Sequence, residues 1–150
     1  MNSSLRHWAV FGLLLLSWAC AQHHTDGTQQ ASLLPGIDTT GYDFSPAQAQ
    51  EFITAHPDVV VLDVRTPDEF RAGHIKRATN INLYDSHFTK QLATLDRSKT
   101  YVVHCAAGLS NGRSRKAVAL MDSLGFRQVR HMNGGFSAWQ QAGQPVVKAP

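Results

Sequence analysis

The sequence predicts an α/β domain on a mostly parallel central sheet, and three observations carry that prediction. Two continuous apolar runs, Val59 to Asp63 (VVVLD) and Thr100 to His104 (TYVVH), have the composition of strands buried on both faces. Two capping boxes with proline at the first helical position, Ser45-Pro46-Ala47-Gln48 and Thr66-Pro67-Asp68-Glu69, open helices on either side of the first run. Strand and helix signals then alternate to the end of the chain. Parallel strands need crossover connections, which are right-handed and place helices on both faces of the sheet.

Order is expected to begin near Phe44, with a helix from Ser45 to about Ala55 that His56-Pro57-Asp58 breaks. The strand at Val59–Asp63 follows, then a short helix from Thr66 that Gly73 stops. Ala78 to Leu83 (ATNINL) reads as a short strand and Ser86 to Leu95 as a helix. After the second apolar strand, Gly112 or Arg113 opens a helix to Leu124. Ala117, Leu120, Met121 and Leu124 form its apolar stripe, and Gly125 ends it. Gln128 to Met132 is a last strand, Asn133-Gly134-Gly135 a turn, and Phe136 to Ala142 a helix closed by Gly143.

Upstream of this domain the composition changes. Arg6 and His7 precede an apolar stretch from Trp8 to Ala19, which small residues follow. That is the pattern of a secretory leader, shorter than a membrane span. Ala19-Cys20-Ala21 fits cleavage before Gln22. Ser17-Trp18-Ala19-Cys20 resembles a bacterial lipoprotein box, in which Cys20 would carry the lipid and tether the protein to a membrane. The expected organisation is therefore a leader over 1–21 (or a lipoprotein signal ending before Cys20), a flexible linker over 22–43 and one domain over 44–147. The product is periplasmic or exported, with a lipidated Cys20 as one route to membrane attachment.

The chain has 150 residues, 43% apolar and 17% charged, within the range of one ordinary globular domain. Its net charge is +3, with no run of lysine or arginine, so no nucleic-acid partner is expected. His23 and His24 lack a third ligand at metal spacing, and no metal site is expected.

Cys20 and Cys105 are the two cysteines. If Cys20 is removed or lipidated, Cys105 is the one thiol of an exported protein, without an internal disulfide partner. It follows a buried strand and precedes a helix, and ligands sit beyond the carboxyl ends of such strands. The small residues Ala106, Ala107 and Gly108 allow close backbone approach. Amides from Ala106 through Leu109, Ser110 and Asn111, with the helix N-terminus at Gly112 and Arg113, would form an anion cradle. A free cysteine titrates at about 8.5, and a helix terminus contributes at most roughly 2 kcal/mol toward its thiolate. Arg113 or Arg115 would add to that, so Cys105 is the expected nucleophile and residues 106–113 the expected substrate-binding loop.

The segment Asp63-Val64-Arg65-Thr66-Pro67-Asp68-Glu69-Phe70 with Gly73-His74-Ile75 resembles the N-terminal signature of rhodanese domains. Gly134-Gly135-Phe136-Ser137-Ala138-Trp139, ending at Gly143-Gln144-Pro145-Val146, resembles their C-terminal signature. Cys105 occupies the place of the family's catalytic cysteine, and Arg113-Ser114-Arg115-Lys116-Ala117 resembles the start of the following helix. The resemblance spans about Ser45 to Val147. It implies a rhodanese-like fold and a single-domain sulfurtransferase. Cys105 would take the outer sulfur of a small anionic donor such as thiosulfate, carry it as a persulfide, and pass it to cyanide or a thiol. No cofactor is implied.

One departure bears on substrate. Sulfurtransferases of the family typically space cysteine and arginine as C-x4-R and the related phosphatases as C-x5-R, whereas Cys105 to Arg113 is C-x7-R. If Ser110 stands at the arginine position, three residues are inserted before the helix. A cysteine-dependent phosphatase or an arsenate-type oxyanion reductase is therefore an alternative, as is a non-catalytic sulfur carrier or binding module.

Other polar residues have structural readings. Asp63 and Arg65 are expected to pair, Glu69 to complete its capping box, and His74 to bond within the fold. His104 should point away from its neighbour Cys105. Trp139 belongs to the core or the loop rim, and His131 gives no catalytic signal by itself.

Overall fold

The structure, a computed structural model, describes residues 43–148. The leader, the linker up to residue 42 and Cys20 lie outside the described residues.

The elements run β1 (Asp43–Phe44), α1 (Pro46–Ala55), β2 (Val60–Asp63), α2 (Pro67–Ala72), β3 (Thr79–Asn80), α3 (Phe88–Ala93), β4 (Tyr101–His104), α4 (Arg113–Ser123), β5 (Val129–Met132) and α5 (Gly135–Gln141). The five strands form one parallel sheet in the order β1-β5-β4-β2-β3. Both capping boxes form. Ser45 Oγ accepts from the Gln48 amide while Gln48 Oε1 accepts from that of Ser45, and Thr66 and Glu69 repeat the exchange.

Period-two alternation divides the core between two faces. Leu62 and Val103 point to the side covered by α3 and α4, with Phe88, Leu92, Ala117, Val118 and Met121. Val61 and Val102 point to the other side, where Ala49 and Ile53 of α1 meet Phe136 and Trp139 of α5. Trp139 is wholly buried, and its indole N–H donates to the Pro145 carbonyl at 2.9 Å.

Three boundaries differ from the sequence expectation. Asp43, read as the end of the linker, is the first residue of β1 and pairs with His131. Two residues are too few to carry an apolar alternation. The strand expected over Ala78–Leu83 shortens to Thr79–Asn80, because Asn82 Oδ1 accepts from the Tyr84 amide and its carbonyl from Asp85, which turns the chain. The helix expected over Ser86–Leu95 contracts to Phe88–Ala93, its entry held by the Asp85 carboxylate on the His87 amide.

Candidate active site

Cys105 follows β4, which lies at the centre of the sheet, at the carboxyl end of the strands. Beyond it the chain must turn sharply. Gly108 makes that turn at φ +55°, where an added Cβ would meet the amides of Gly135 and Gly134 at 2.5 and 2.6 Å. The Cys105 and Ala106 carbonyls are tied down on the other side, accepting from the amides of Phe136 (2.7 Å) and Ser137 (2.8 Å) in the first turn of α5. In a trans peptide the N–H opposes the C=O, so fixing the Ala106 carbonyl on α5 turns the Ala107 N–H the other way, toward the sulfur.

Donors surround the thiol. The Gly108 amide donates to Sγ at 3.4 Å, and the Ser114 hydroxyl lies 3.2 Å from it. Burial raises the pKa of Cys105, which is 3% exposed. The Ser114 hydroxyl and the amides of Ser114, Gly108 and Ala107 oppose this and leave the thiol below its ordinary value. Cys105 is thus buried, as an inert core cysteine would be, but its sulfur faces donors that favour the thiolate.

The expected cradle forms only in part. Of residues 106–111, Ala107 and Gly108 turn amides toward the sulfur, and the third amide comes from Ser114. The lengthened loop bulges outward. Leu109, Ser110 and Asn111 are exposed, and Leu109 accepts from the Gly112 amide at 2.9 Å, closing a surface turn that leads into α4. Gly112 is the N-cap of α4. Glu69 engages Arg113 at 2.6 Å, and the Arg113 guanidinium lies 5.6 Å from the ring centre of the exposed Tyr84, near enough to Cys105 to act on it electrostatically. Glu69 therefore holds Arg113 as well as closing its capping box. The pair, with burial opposing it and Thr66 assisting, brings the Glu69 carboxyl down from 4.5 to about 2.

The structural readings hold for the neighbours. Arg65 pairs with Asp63 through Nη2 at 2.6 Å, donates to the Gly73 carbonyl at 2.7 Å and lies over the Phe136 ring. His74 bonds to the Phe70 carbonyl and stacks on the Phe70 ring. His104 faces Asp63 and Phe136, away from the Cys105 sulfur.

Three residues that sequence reasoning did not assign to the site stand behind the sulfur. Ser114 Oγ lies 2.9 Å from His131 Nε2, and His131 Nδ1 lies 3.2 Å from Asp43 Oδ1. Ser114 and His131 are fully buried. Among the described residues no cluster of histidine, cysteine and carboxylates could hold a metal ion.

A family model described as "Rhodanese-like domain" matches residues 45–142. The "Putative sulfurtransferase YtwF" of Bacillus subtilis is 32% identical over 103 residues, 69% of this chain and 94% of that protein. The thiosulfate sulfurtransferase GlpE of Shewanella oneidensis is 35% identical over 91 residues, 60% of this chain and 84% of that protein. Other relatives are longer: the chain spans 48% of one and 26% of another. Among solved structures, a rhodanese-related protein from Thermoplasma volcanium superposes with a TM-score of 0.61 at 34% identity, covering 70% of this chain and 96% of that one.

Proposed function

Because the chain belongs to the rhodanese-like domain family, we propose that it is a sulfurtransferase working through a persulfide on Cys105. One observation carries this reading: a thiol at the end of the central strand whose sulfur receives N–H and O–H donors and whose pKa is lowered in spite of burial. Relatives named as thiosulfate sulfurtransferases support it.

The thiolate attacks the outer sulfur of an anionic donor such as thiosulfate. The new S–S bond forms as the old one breaks, and sulfite leaves with the bonding pair. The terminal persulfide sulfur is anionic and takes up the same donors that held the thiolate. Cyanide or a thiolate then attacks that sulfur, and the Cys105 thiolate departs with the electron pair of the cleaved bond. The reaction needs neither metal nor organic cofactor.

Intact-mass spectrometry after incubation with thiosulfate tests the reading. One sulfur should be added, removed by cyanide and absent in Cys105→Ala. Failure to take up sulfur from thiosulfate and from thiol persulfides, in protein whose Cys105 still alkylates, overturns it.

The C-x7-R spacing motivates a second reading, a cysteine-dependent phosphatase or an oxyanion (arsenate) reductase on the same fold. Turnover of arsenate or of a phosphate ester, together with absence of sulfur uptake, would favour it.

A further inference from the structure

Cys105, Ser114, His131 and Asp43 form one unbroken chain of polar contacts from the sulfur to the edge of the sheet. The chain crosses four elements. Cys105 follows β4, Ser114 lies in the first turn of α4, and His131 and Asp43 face each other in the register of β5 and β1.

Donor and acceptor rules restrict its proton arrangements to two. Asp43 Oδ1 can only accept, so the proton on that side of the ring sits on Nδ1. If His131 is neutral, Nε2 accepts from the Ser114 hydroxyl, and the serine oxygen can then only accept from Cys105, which must be a thiol. If Ser114 instead donates to a thiolate, its oxygen accepts from Nε2–H, and His131 is an imidazolium. A thiolate beside a neutral ring would leave one serine proton between two acceptors. Ionisation of Cys105 and protonation of His131 are thereby coupled.

We infer that His131, anchored by Asp43, sets the ionisation of Cys105 through the Ser114 hydroxyl. In the step, the S–H bond of Cys105 breaks and its proton passes to Ser114 Oγ. The serine proton moves to Nε2, leaving a thiolate and an imidazolium. No other reactant is consumed. Ser114 touches the reacting atom, and His131 and Asp43 are positioning residues. The groups facing the ring are Asp43 from β1, Ser114 and Arg115 from α4, Cys105 beyond β4, and the Asn133 side chain in the turn after β5. Arg115 pairs with the second oxygen of Asp43, which leaves Oδ1 to the imidazole. Burial and Arg115 push His131 below its ordinary pKa while Asp43 pulls it up.

The inference rests on the reading of Cys105 as the reacting thiol, but its test needs no sulfur donor. Iodoacetamide alkylation of Cys105 in the full chain, located by peptide mass spectrometry, is followed across pH. In His131→Gln the midpoint should rise by about one pH unit, making alkylation near neutral pH about tenfold slower. Asp43→Asn should shift it in the same direction by less. The double variant Ser114→Ala/His131→Gln should behave as Ser114→Ala alone, because the coupling runs through the hydroxyl. A folded His131→Gln protein with the wild-type profile overturns the inference, as does a double variant in which the two effects add in full. If His131→Gln does not fold, NMR titration of the His131 ring in wild-type protein and in Cys105→Ala decides. The two midpoints should differ, and identical midpoints overturn the inference. Coupled titration without sulfur uptake would defeat the sulfurtransferase reading alone. Sulfur uptake with uncoupled titration would defeat this inference alone.

Discussion

Arg113 and Glu69 meet in a two-point ion pair, Nη1 to Oε2 at 2.6 Å and Nη2 to Oε1 at 2.8 Å. The first cation after the cysteine loop is thus neutralised by a carboxylate on α2. The donors facing the sulfur are amides and the Ser114 hydroxyl, with a full positive charge held in check nearby.

Releasing that charge should strengthen donor binding. Glu69→Gln keeps a capping residue at the same helix position but removes the negative charge beside Arg113. The KM for thiosulfate is expected to fall about threefold to fivefold, with kcat little changed and the difference fading at high salt. Steady-state kinetics at two ionic strengths check this, and an unchanged or higher KM would contradict it.

The same pair makes stability depend on pH. The folded value of Glu69, about 2, lies below its ordinary 4.5. The contribution is therefore fully present above the unfolded value and is lost as pH falls toward the folded one. Arg113→Ala should cost about 1 kcal/mol near neutral pH, after allowance for solvent screening. The gap should narrow below the unfolded value and close near the folded value. Denaturant midpoints across that range are the measurement, and a gap constant with pH would count against the pair as its source.

Gly108 should tolerate no side chain. Its left-handed φ and the 2.8 Å approach of an added Cβ to the Met132 carbonyl leave alanine without room. Gly108→Ala is expected to lose more than about 2 kcal/mol of stability and at least tenfold in Cys105 alkylation rate. A stable variant with wild-type thiol reactivity would show that the loop forms another way.

Asp63 and Arg65 predict strong non-additivity. Arg65→Met strands the buried Asp63 carboxylate, at a cost of about 3–5 kcal/mol, while Asp63→Asn/Arg65→Met should cost clearly less. Thermal and denaturant unfolding of the two variants would reveal it, and a double variant worse than the single one would refute it.

The parts of this molecule that were legible in its sequence are those with local causes. Two prolines in capping boxes mark α1 and α2, and two undiluted apolar runs mark β2 and β4. Cys105 was legible because a thiol between a buried strand and a run of small residues has few structural uses. Ser114, His131 and Asp43 were not, because their meeting depends on the order β1-β5-β4, which brings Asp43 beside a residue far along the chain. The Glu69 partner of Arg113 was not legible for the same reason: it lies 44 residues upstream on another helix. The inserted loop residues carried no periodicity, so the outward turn at Leu109–Gly112 emerged only with its backbone hydrogen bond.

The carbonyls of Cys105 and Ala106 take their direction from Phe136 and Ser137, which are synthesised after them. A nascent polypeptide therefore displays its sulfur before it owns the helix that fixes the surrounding loop. Translation that stops short of Gly134 would yield most of the sheet carrying a chemically ordinary thiol. The loop around the thiol is therefore fixed only once α5 has been made, so chains interrupted before it would lack the geometry of the folded domain.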